Sequence, residues 1–95
     1  MRYYVISYDL RGEVGPEDYI RLAQILNTAP DACKALLSFW IVGTNLAPAE
    51  IIARLARALD PNDGIVVLEI TGRGDFYGAE TEWARQWLLS RIVSA

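Results

Sequence analysis

Ninety-five residues, 53% of them hydrophobic and 22% charged, suffice for one globular domain with one modest core and exclude a disordered chain. Nine basic against twelve acidic residues leave a formal charge of −3, and the pI near 4.8 weighs against a strong nonspecific grip on nucleic acid. With no histidine and one cysteine, Cys33, a single chain has no ligand set for zinc or haem, no Ser-His-Asp triad and no intrachain disulfide.

The chain opens on Tyr3-Tyr4-Val5-Ile6-Ser7-Tyr8-Asp9, an aromatic and β-branched run that suits a pleated, half-buried surface and predicts a strand ending near Leu10. Strand follows Arg2 directly, so no secretory leader is expected, and the apolar runs are far too short for a membrane span. A cytoplasmic protein with no membrane partner is the expectation. Arg11 to Gly15 reads as a loop with two glycines. Pro16 suits the first position of a helix, where its missing N–H costs nothing, and Glu17 and Asp18 favour the positive end of the helix dipole. Tyr19, Ile20, Ala23, Ile25 and Leu26 recur at helical spacing and predict a buried stripe that stops near Asn27-Thr28, before Pro30.

Ala32–Leu37 and Phe39–Thr44 are apolar runs divided by Ser38, read as adjacent strands or one long bent strand. Pro48 begins a second helix whose predicted buried stripe is Ile51, Ile52, Leu55 and Leu59, with Arg54 and Arg57 off it. Asp60-Pro61-Asn62-Asp63-Gly64 is a strong turn signal, and Ile65–Ile70 reads as a strand buried on at least one face. Gly72–Gly78 is a glycine-rich loop without the ending of a phosphate-binding loop or the spacing of a dinucleotide fingerprint. Residues 80–95 then form a Trp-bearing helix starting at Glu80 or Thr81, with Trp83 and Trp87 read as packing.

The order strand, helix, strand, strand, helix, strand, helix is the split-βαβ, or ferredoxin-like, pattern in an α+β class. One domain is expected: a core over 1–71, a loop over 72–79 and the C-terminal helix. Both faces of the first strand are largely apolar, which calls for cover on both sides of the sheet and predicts a homodimer.

Asp9 is the residue around which a function can be argued. A carboxylate closing a strand either caps the following Arg11-Gly12 turn or offers a hard oxygen ligand to a divalent cation such as Mg2+. One carboxylate is too few alone, but a two-fold axis beside Asp9 would supply a second, and a metal between them would activate water against a phosphodiester. Tyr8 and Ser38 are polar handles that line the same site or are a core aromatic and a hairpin hydroxyl. Arg11 contacts a phosphate or is a solvated loop charge. Cys33, among apolar neighbours, reads as a small buried hydrophobe.

Three stretches in this order resemble a known family. They are Val5 to Leu10, Leu37-Ser38-Phe39-Trp40-Ile41-Val42-Gly43, and Leu46-Ala47-Pro48 through Asp60-Pro61-Asn62-Asp63-Gly64 to Leu68. Together they resemble the CRISPR-associated Cas-two family and its orphan relatives outside CRISPR loci, over roughly residues 3 to 70. The resemblance implies a ferredoxin-like homodimer in which Asp9 faces its mate across the dimer axis and is proposed to hold magnesium. It further implies either metal-dependent nuclease activity on RNA or DNA, or a non-catalytic scaffold that holds nucleic acid with a protein partner. The Trp-bearing tail from Gly72 departs from the pairing strand that usually ends CRISPR-linked members, and points to an orphan relative.

Overall fold

The structure of the protein, a computed structural model, describes residues 1–11 and 15–92. Four strands, β1 (Arg2–Asp9), β2 (Asp31–Leu36), β3 (Phe39–Thr44) and β4 (Gly64–Ile70), form one antiparallel sheet in the order β2-β3-β1-β4. Helix α1 (Pro16–Leu26) joins β1 to β2, α2 (Pro48–Leu55) with a 3-10 turn at Ala56–Ala58 joins β3 to β4, and α3 (Glu82–Arg91) follows the loop after β4. This is the ferredoxin-like arrangement with an added C-terminal helix. The expected loop Arg11–Gly15 falls largely on residues 12–14, and the last residues of the expected 80–95 helix on 93–95, outside the described residues.

Proline starts α1 and α2, and in both the acidic residue three positions past the cap reaches back to the cap N–H. Asp18 accepts from Gly15 at 2.9 Å and Glu50 from Ala47 at 3.0 Å, satisfying donors that no preceding turn can. Thr81 caps α3 by accepting from the Ala84 N–H at 3.1 Å, so the helix proper begins at Glu82.

The sheet separates two cores. On one face Tyr4, Ile6 and Tyr8 of β1 and Trp40 and Val42 of β3 pack against Leu22 and Leu26 of α1 and Ile51 and Leu55 of α2. On the other, Cys33, Ala35 and Ile41 meet Ala84, Trp87 and Leu88 of α3. Burial pushes the Cys33 thiol up to about 11, so it packs as a small hydrophobe. The expected stripes need correction. Tyr19 and Ile20 are exposed, as are Ile52 and Trp83, while Leu22, absent from the expected stripe, is fully buried.

One carboxylate fastens α3 to the sheet. Asp31 accepts from the Tyr3 hydroxyl at 2.6 Å, the Trp87 Nε1–H at 2.9 Å and the Arg91 Nε–H at 2.7 Å. The Arg91 guanidinium also lies 4.3 Å over the Trp87 ring. Gly43 makes room for this cluster. It is the cross-strand partner of both Tyr3 and Asp31, and a Cβ there would stand 2.8 Å from the Tyr3 ring. The missing side chain lets Tyr3 lean across β3 to reach Asp31.

Candidate functional site

Asp9 ends β1 opposite Gly64 of β4, on the face shared with Val5 and Ser7. Its carboxylate is largely exposed and accepts from the Arg11 Nε–H at 3.1 Å. It therefore holds a side chain rather than capping backbone in the described residues, and Gly12 of the expected turn lies outside them. Arg11 is in turn tied to the turn after α2. Its Nη1 donates to the Asn62 carbonyl at 3.2 Å, and its backbone N–H donates to Asp63 Oδ1 at 2.8 Å. The second Asp63 oxygen accepts from the Asp60 N–H at 2.8 Å, and the Arg11 and Asp60 N–H bonds hold the Asp63 carboxyl below the usual carboxylate range. The Asp-Pro-Asn-Asp segment is thus the brace for the end of β1, which is the structural use of a turn legible from composition.

Tyr8 and Ser38 lie beside Asp9 in the backbone but are not assembled with it. The Tyr8 N–H donates to the Ser38 carbonyl at 3.2 Å, which docks the β2–β3 hairpin at this end of the sheet. The Tyr8 ring, one residue from Asp9, points to the opposite face, where its oxygen accepts from Trp40 Nε1–H at 3.2 Å and burial pushes its hydroxyl pKa up. Tyr8 is a core aromatic, and the alternation of a strand is the reason it cannot line a site with Asp9.

On the helix side of the same end, Arg11, Arg21 and Arg57 converge on a cleft of about 240 Å³ that Asp18, Asp60 and Asp63 also line. Arg21 pairs with Asp18. Three cations and three anions leave the cleft without net charge, so it carries little pull for a phosphate backbone. Arg21 escapes sequence reading because its neighbours come from other elements.

The open face of the sheet is the other feature of this end. α3 and the loop before it cover β2 and β3 and reach Tyr3 and Val5 of β1 and Ile70 of β4, whereas Val66 and Leu68 of the edge strand β4 are 52% and 60% exposed. Ile65 and Val67, which alternate with them, pack on the helix-covered core. Among the described residues no cluster of three His, Cys, Asp or Glu could hold a metal ion. Asp9 brings a single carboxylate to this end of the sheet, and Arg11 engages it. Among the described residues no helix is long and apolar enough to cross a membrane.

No family model matches this chain, and no curated protein matches it. It is similar in structure to a hypothetical protein, TT1823, from Thermus thermophilus, with a TM-score of 0.63 and 21% identity over 82% of this chain and 92% of that one. That likeness shows the fold.

Proposed function

We propose that the chain is a homodimeric, Cas-two-like binding or scaffold module of the cytoplasm, acting in nucleic-acid metabolism or defence through a nucleic-acid or protein partner and without catalysis. The observation that carries this reading is the uncovered apolar strip on the sheet's outer face. Val66 and Leu68 stand exposed on an edge strand that pairs with β1 alone among the described residues, next to the half-buried Val5. An apolar strip on an open edge strand is a surface built for association, and a second copy covers it. The acidic balance and the charge-neutral arginine cleft support contact through a partner protein over a direct nonspecific grip on a strand.

One observation favours a second reading, a magnesium-dependent endonuclease with Asp9 from both subunits. Asp9 is exposed on the same face as the strip, so a two-fold axis through the strip brings two such carboxylates toward each other. In that reading the two Asp9 carboxylates would hold a divalent cation, which would supply activation of water, and Arg11, once released from Asp9, would meet the phosphate.

Sedimentation equilibrium and a cleavage assay with Mg2+ separate these. The wild-type chain should sediment as a dimer. Val66→Asp combined with Leu68→Asp should weaken association by roughly a hundredfold or more while leaving the fold intact, because both side chains are exposed. A monomeric wild-type protein would sink both readings. No cleavage of RNA or DNA is expected from wild type or Asp9→Asn. Magnesium-dependent cleavage lost in Asp9→Asn would install the endonuclease in place of the scaffold.

A further inference from the structure

At the other end of the fold from Asp9, a cleft of about 230 Å³ opens between the α1–β2 connection, the β3–α2 connection and α2. Its floor is apolar core, with Ile6, Val42 and Leu55 all at 5% exposure or less. Of the polar groups on its walls, two are already engaged. Thr28 Oγ1 donates to the Ile25 carbonyl at 2.6 Å, and Thr44 Oγ1 accepts from the Leu46 N–H at 3.2 Å. Arg54 is different. Among the described residues it is the one charged group lining the cleft, no carboxylate lines it, and no ion pair occupies the guanidinium.

We propose that this cleft binds a small monocarboxylate with an apolar body, its carboxylate on Arg54 and its hydrocarbon against the Ile6–Val42–Leu55 floor. A guanidinium presents a planar fork of donors that matches a carboxylate, and Glu50, one turn earlier on α2, is engaged by the Ala47 N–H at 3.0 Å and makes no ion pair with it among the described residues. An apolar floor with a few directional polar groups, here Arg54 and the Asn45 amide, is the usual make-up of a small-molecule site. The volume lies just under the roughly 300–1,000 Å³ of ligand pockets, which selects a short acid over a nucleotide or a long-chain lipid. A single cation favours a monoanion. The site shares no residue with the Asp9 end and stands whether or not the chain dimerises.

The test is titration of the 15N-labelled full chain with hexanoate and with phenylacetate, followed by 1H–15N correlation spectra. Saturable shifts should appear at the Thr28, Ala29, Asn45 and Leu46 amides. Hexanol, which keeps the body and lacks the charge, should bind at least about tenfold more weakly than hexanoate. Arg54→Gln should weaken hexanoate binding by about tenfold or more, and Arg85→Gln, on α3, should not change it. Arg54 is exposed, so its variant keeps the fold. The proposal is overturned if neither acid gives saturable shifts up to about 10 mM, if the shifts map elsewhere, or if Arg54→Gln binds hexanoate as wild type does.

Discussion

Replacing Asp31 by alanine should cost about 3 kcal/mol of stability, measured by urea unfolding at pH 7, and lower the melting temperature by roughly 10–20 °C. The carboxylate is the common acceptor for Tyr3, Trp87 and Arg91, and its side chain is only 18% exposed. Its loss leaves three donors without their partner and one of them, Arg91, charged. The effect exceeds that of a surface ion pair because of this convergence. Its pH dependence has a defined sign. Burial raises the Asp31 pKa, but the bonds from Tyr3, Arg91 and Trp87 outweigh burial and hold the carboxyl below its usual value. A group depressed on folding adds stability that is present above its unfolded pKa, about 3.9, and is lost as the pH falls through the lower folded value. The gap between wild type and Asp31→Ala should therefore be full at pH 7 and narrow below about pH 4. An equal gap at both would show that the carboxylate's charge is not what fastens α3.

Leu22→Ala should be at least as costly, about 3–4 kcal/mol, while Ile20→Ala should change stability by no more than about 0.5 kcal/mol. Leu22 has no exposed surface and sits among β1, β3 and α2, where the neighbours are a rigid sheet and cannot collapse into the space left. Ile20 is 55% exposed. Two positions along a helix turn the side chain by about 200°, so when Leu22 faces the sheet Ile20 faces away. Calorimetry on the two variants decides the inner face of α1. A large loss from Ile20→Ala with little from Leu22→Ala would mean the helix is rotated.

That pair also marks how far the sequence is legible. The four strands, three helices and the order that makes the sheet ferredoxin-like follow from local signals: proline at helix starts, an Asp-Pro-Asn-Asp-Gly turn and β-branched runs. The rotation of α1 does not, because Tyr19, Ile20, Ala23, Ile25 and Leu26 all fit helical spacing and only the position of the sheet selects among the possible faces. At the site, Asp9 is legible as a carboxylate closing a strand, and the alternation Ser7-Tyr8-Asp9 already sets Tyr8 on the other face. The brace from Asp63 to the Arg11 N–H joins residues 52 apart in the chain. The Asp31 cluster spans separations of 28, 56 and 60. No window of sequence contains such partners, and a lone Asp after Pro30 gives no local sign of what it holds.

The placement of α3 carries a consequence for synthesis. The element that covers Cys33 and Ile41 follows all four strands in chain order, so every strand of the sheet is made before its cover. Until α3 docks, the outer face is bare across all four strands, from the β2 edge to Val66 and Leu68. A chain in which α3 has yet to dock therefore offers chaperones, or other such chains, a wider apolar surface than the finished protein retains.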